Sequence, residues 1–163
     1  MDLMSTAQLL GNFGEFVGAA AVVITLIYLT LQLRQNTNAI KSSSWQAIQD
    51  SEQRFDELLT RDPKLAEVWL RGNERGLDSF DDATERFLFH LIGKQMIDLF
   101  QTHHYQYQSG LVEDELWGTW VSQYDEQLTN SLGFRDMVRI RYPHLRPSFR
   151  KFVDEHPYTG DQS

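Results

Sequence analysis

The residues of this chain that could do chemistry are few, and they do not fall into catalytic spacings. His103 and His104 are adjacent in the run HHYQYQ, near the expected end of a helix. Side chains one position apart on a helix diverge by about 100°, so the two imidazoles do not converge on one ligand. Histidine close to a helix C-terminus is favoured by the macrodipole, and a structural role is expected for both. His90, Lys94 and Asp98 recur every four residues on one helical face and could form a weak polar site. A di-iron bundle needs Glu-x-x-His pairs, and the sequence has none. Glu85 and His90, five apart, turn to different faces. The zincin motif HExxH, the nucleophile elbow G-x-S-x-G and a phosphate-cradling glycine loop are absent as well. No catalytic residue, metal site or cofactor is expected.

One cluster of charge stands out. Arg135, Arg139, Arg141, Arg146, Arg150 and Lys151 are six of the fifteen basic residues. On a membrane-tethered domain this cluster could meet anionic lipid headgroups, at about 1 kcal/mol per residue near the surface. The leading reading is a solvated cluster or one paired internally, for example with the acidic helix starts at 78–85 or 113–115. The chain as a whole carries a net charge of -8, which argues against nucleic-acid binding. It has no cysteine, so disulfides and thiolate metal sites are excluded.

The element that must position everything else is apolar. Residues 16–33, FVGAAAVVITLIYLTLQL, contain no charge. As a helix they cover roughly 27 Å at the standard rise, close to the ~30 Å hydrocarbon core of a bilayer. A transmembrane helix is the expectation. The stretch before it has no Lys or Arg, which argues against a cleaved signal peptide. All fifteen basic residues lie at or after Arg34, so the positive-inside rule places the C-terminal side in the cytoplasm and the N-terminus outside.

Ser5 and Gln8 have capping-box spacing, so the helix is expected to begin near Thr6. From Ala7 a stripe of mostly small or polar residues follows a 3-4 spacing: Gly11, Gly14, Gly18, Ala21, Thr25, Tyr28 and Gln32. The opposite stripe, including Leu10, Phe13, Val17, Ala20 and Ile24, is bulkier. Membrane helices associate by close backbone approach and interhelical hydrogen bonds, so the small stripe is the expected oligomer seam. Glu15 sits among Phe13, Phe16 and Val17. It is expected at the headgroup level, with an intramembrane site as the sharper alternative.

Beyond the span the pattern is helical throughout. No Pro or Gly falls between Gly18 and Pro63, so the anchor can continue as a stalk or as the first helix of a bundle. The weak helix formers Asn36–Asn38 and Ser42–Ser44 mark a place for a break. Trp45, Ile48, Phe55 and Leu59 keep an apolar stripe. Asp62-Pro63 predicts a stop and a new start. Further helices are expected over LAEVWLRG, ending at the glycines of 72–76, then 82–107, 112–130, 134–142 and 148–155. The long third one should bury Phe87, Leu88, Leu91, Ile92, Ile97, Leu99 and Phe100. The fold class is all-α: an N-terminal transmembrane helix followed by a small antiparallel bundle. The expected organisation is an anchor at 1–36, a stalk or first bundle helix at 37–61, a cytoplasmic helical domain at 62–155 and a tail at 156–163.

The opening stretch from Gly11-Asn-Phe-Gly14-Glu15-Phe-Val-Gly18 to Arg34-Gln35-Asn36-Thr37 resembles a group of small bacterial single-pass membrane proteins of unknown function. Asp62-Pro63 through Trp69-Leu-Arg-Gly72 looks similar too, as do Tyr105-Gln-Tyr107 through Trp117 and Phe149-Arg-Lys-Phe152-Val-Asp154. The resemblance implies a bacterial inner-membrane setting and an anchored helical architecture, and it carries no catalytic residues. The functional expectation is an interaction or scaffold module that meets membrane lipid, forms a homo-oligomer through its anchor and presents its helical domain to a cytoplasmic protein partner. The alternatives are a subunit of an oligomeric pore or transport accessory, and a small-ligand sensor or enzyme using the bundle interior.

Overall fold

The computed structural model describes residues 3–158, with side chains from residue 11 onward. The Ser5–Gln8 capping pair, Ala7 and Leu10 thus lie outside the described side chains, and 159–163 of the tail lie outside the described residues. Among the described residues the chain is all-helical, without a strand. Helix α1 spans Leu3–Arg61, α2 Pro63–Arg75, α3 Ala83–Gln108, α4 Asp114–Asn130, α5 Leu132–Arg141 and α6 Pro147–Glu155. The chain divides into two compact units, Met1–Ser42 and Ser43–Ser163.

The first unit is the leading part of α1 alone. No helix break occurs at the weak formers 36–44. Neither Pro nor Gly interrupts the hydrogen-bond ladder there, and the Thr37 hydroxyl donates to the Leu33 carbonyl at 2.9 Å, inside the helix itself.

The second unit holds the end of α1 together with α2–α6. Its helix starts carry their own caps. The Asp62 carboxylate accepts the Lys64 amide at 2.9 Å, with Pro63 as the first helical residue. Asp82 accepts the amides of Thr84 and Glu85 at 2.7 and 3.0 Å, and these bonds hold its carboxyl below the usual range. Ser131 accepts the Phe134 amide at 2.9 Å and donates to Asn73 Oδ1 at 2.6 Å, which ties α5 to α2.

Helix α3 lies against α2, α4, α5 and α6. Phe89 and Ile97 of α3, Val68 of α2, Tyr124 of α4, Phe134 and Met137 of α5 and Phe149 of α6 form the buried centre. At one crossing α2 and α5 come together through glycine. A Cβ on Gly133 would overlap the Gly72 carbonyl oxygen and the Phe89 ring. Helix α2 ends within the expected glycine range of 72–76, and of these glycines Gly72 is not the one that ends it. Gly72 is buried inside the helix, and α2 stops at Gly76, whose φ of +79° suits a residue without a side chain. The α3 stripe is also narrower than expected, since Phe87 and Leu91 are exposed.

Candidate functional sites

In the first unit the described apolar side chains from Phe13 to Leu33 have no protein to cover them. Phe13 and Phe16 are 68% and 72% exposed, and Val17, Val22, Ile24, Leu31 and Leu33 are exposed as well. The helix is long and apolar enough to cross a membrane. The space beside Gly11, Gly14 and Gly18 is open, with nothing within 4 Å of where a Cβ would stand. The polar members of the same stripe bond inside their own helix. Thr25 donates its hydroxyl to the Ala21 carbonyl at 2.8 Å, and Gln32 donates its amide to the Tyr28 hydroxyl at 2.7 Å. Glu15 is exposed beside Phe13 and Phe16.

The six basic residues of 135–151 are individually engaged within the second unit. Arg135 caps the end of α4, donating to the carbonyls of Leu128 and Thr129 at 2.8 and 3.2 Å. Its guanidinium also lies 4.0 Å from the Tyr158 ring centre. Arg139 pairs with Asp136 at 2.7 Å, and Arg141, half-buried, reaches Asp98 at 3.5 Å. Lys94 of the expected polar face bonds the same Asp98 at 2.6 Å. Arg146 lies over the Tyr105 ring at 4.8 Å, and Lys151 approaches Glu155 at 3.7 Å. Arg150 is half-buried on α6, where its charge acts on Tyr142. Arg139, Arg146 and Lys151 are the exposed members.

The most distinctive chemistry of the second unit lies in a cavity of about 420 Å³. Glu52 and Asp56 of α1, Trp69 of α2, Phe100 and His103 of α3 and Gln123 of α4 contribute to its walls. Asp56 and Gln123 are exposed and mark its open side, while His103 is only 4% exposed and closes the inner end. The cavity follows from how α1 packs. Its Ile48 and Phe55 are buried, but they meet the other helices through bulky partners. Ile48 clusters with Val112 and Trp120, and Phe55 stands edge-on to Trp69 at 5.9 Å between centroids.

His103 stacks on Trp120, 4.0 Å apart and 17° from parallel. Its Nε2 stands 3.6 Å from Glu52 Oε1, and neither ring nitrogen has a hydrogen-bond partner. Burial lowers the imidazole pKa to about 4, so the ring is neutral at pH 7. Burial likewise pushes the Glu52 carboxyl up, with the Trp120 side chain opposing and Asp56 adding to the rise. His104 diverges as its adjacency requires. It enters the aromatic cluster of Trp117, Phe149 and Phe152, where burial lowers its pKa also. Desolvation by burial is the cause of both shifts. A buried imidazole without partners leaves a donor and an acceptor unmet, each costing about 1–3 kcal/mol.

The sequence reading passed over Glu52, which falls on the stripe Ile48, Glu52, Phe55, Leu59. A carboxylate at a core-facing position of an amphipathic helix was the available signal. Its partners, Trp120 and His103, are far away in sequence and no spacing rule joins them. Among the described residues no three His, Asp or Glu side chains come together as metal ligands. No family model, curated protein or solved structure matches this chain.

Proposed function

We propose that the chain is a membrane-anchored helical interaction module that self-associates through its anchor and presents its helical domain on the cytoplasmic side of a bacterial inner membrane. The observation that carries this reading is the uncovered apolar surface of α1 between Phe13 and Leu33. A contiguous surface of that kind is disfavoured in water and is stable in lipid. The absence of basic residues before Arg34 supports the orientation. The second unit is read as a small antiparallel bundle around α3, supported by the packing of α3 on α2, α4, α5 and α6.

The open stripe at Gly11, Gly14 and Gly18 supports close approach of a second anchor. Thr25 and Gln32 favour this tether over a pore with a polar lining, because both bond within their own helix. Arg139 and Lys151 are exposed on the helical domain, and their surface pairs with Asp136 and Glu155 are of the weak kind that anionic headgroups can compete with.

Gly18→Leu tests the seam cleanly, since the single helix has room for the new side chain. In a membrane-based association assay this variant should dimerise about tenfold more weakly, the loss expected for contacts worth ~1.4 kcal/mol. Ala20→Leu, on the opposite stripe, should behave as the parent. Equal association of all three chains contradicts the seam.

A further inference from the structure

The cavity beside α1 has a composition that selects a ligand. Two carboxylates one helical turn apart, Glu52 and Asp56, face it, and among the described residues no Lys or Arg lines it. Trp69, Phe55 and Phe100 supply aromatic wall, and Leu59, Met96 and Leu99 supply aliphatic wall. Its volume of about 420 Å³ suits a small molecule rather than a single ion. The inner end holds a buried imidazole with no partner for either nitrogen. Glu52 Oε1 and His103 Nε2 are 3.6 Å apart, beyond bonding distance but close enough to share one donor group. Both His103 nitrogens are closed to a water-sized group as the side chains stand, so an ammonium reaches Nε2 at ordinary hydrogen-bond length once the half-buried Glu52 side chain swings toward the mouth.

We propose that this cavity binds a small organic ammonium ion: a primary amine, protonated, carrying an aromatic or aliphatic tail. The ammonium donates to Glu52 and to the His103 imidazole, with Asp56 adding attraction at the mouth. The tail lies against the Trp69 and Phe100 walls. A neutral alcohol has a single O–H for two acceptors and brings no charge. A carboxylate would be repelled by both acids. The site is separate from the anchor, so it stands or falls independently of self-association.

The test uses the full chain in a non-ionic detergent and titration calorimetry with three probes of one shape: phenethylammonium, phenethyl alcohol and 3-phenylpropanoate. Phenethylammonium should bind saturably with one site per chain, and the other two should give no saturable heat. Glu52→Gln should weaken ammonium binding about tenfold or more, the loss expected for one charge-assisted bond. Glu57→Gln, which lies off the cavity, should leave it unchanged. His103→Phe keeps the stack on Trp120 and removes the acceptor, so it should also weaken binding. Should that variant fold poorly, Asp56→Asn at the exposed mouth supplies the second reading, with a smaller loss. Saturable binding of the alcohol as tight as that of the amine overturns the proposal. So does the absence of saturable ammonium binding, and so does ammonium binding that Glu52→Gln does not weaken.

Discussion

Residues 16–33 and 45–61 belong to one unbroken helix, yet they treat apolar side chains in opposite ways. In the first segment Phe16, Val22 and Tyr28, about 120° apart around the helix, all stand exposed. In the second, Ile48 and Phe55 are 2% and 8% exposed, at a spacing that follows one face. The backbone does not distinguish the two segments. What distinguishes them is periodicity: apolar residues all round a helix require a surrounding apolar medium, whereas a stripe requires a neighbouring element. A continuous helix is therefore no guide to a continuous function.

The contrast is sharpest for phenylalanine. Phe89 is fully buried where α2, α3 and α5 meet, so Phe89→Ala should cost about 3–5 kcal/mol. Thermal unfolding in detergent, followed by circular dichroism, should show a large drop in midpoint. Phe16→Ala should leave that midpoint in place, because Phe16 touches no core. An equal drop for both would mean that the first segment is packed against protein after all.

Acid should act on the second unit. The His103 pKa is near 4 in the folded chain against an ordinary value of 6.5, so the unfolded chain binds more protons between these values. Stability that is complete above about pH 6.5 should be lost progressively down to about pH 4, by roughly 3 kcal/mol in all. Glu52 works with the opposite sign, because its raised pKa means that the folded state takes up a proton first. Asp56 of α1 also faces this site, while α4 contributes the uncharged Trp120 and Gln123. Unfolding measured across this range should show the slope for the parent and a flatter profile for His103→Phe.

Glycine gives the smallest difference. Gly133→Ala forces a methyl against the Gly72 carbonyl and Phe89, which should cost about 1–3 kcal/mol. Gly18→Ala meets open space and should leave the same unfolding transition unmoved. A neutral Gly133→Ala would mean that α2 and α5 separate easily.

The helices were legible because their punctuation is local. Asp62-Pro63 carries its cap in sequence, and α2 and α3 start within one residue of the expected places; α5, expected from 134, starts at Leu132, because Ser131 is a cap that the sequence reading did not pick out. The glycines were less legible, because composition cannot separate a stop from a close crossing. Gly76 ends a helix while Gly72 lets another helix approach. The cavity was hidden in the same sense. Glu52 of α1 meets His103 of α3, and His103 stacks on Trp120 of α4, a set of contacts that exists only once these helices are packed. The basic cluster read as one patch in sequence, but in the fold Arg135 caps α4 while Arg141 turns to Asp98 on α3.

The central claim is that the apolar half of α1 lies in lipid while the striped half does not. The chain has no cysteine, so single cysteines report cleanly. Ile27→Cys and Gln53→Cys, both at exposed positions of α1, should be treated with a membrane-impermeant maleimide in spheroplasts and again after lysis. The account predicts that Gln53→Cys is labelled only after lysis and that Ile27→Cys resists labelling until detergent is added. Equal labelling of Ile27→Cys and Gln53→Cys in lysed spheroplasts without detergent would contradict it.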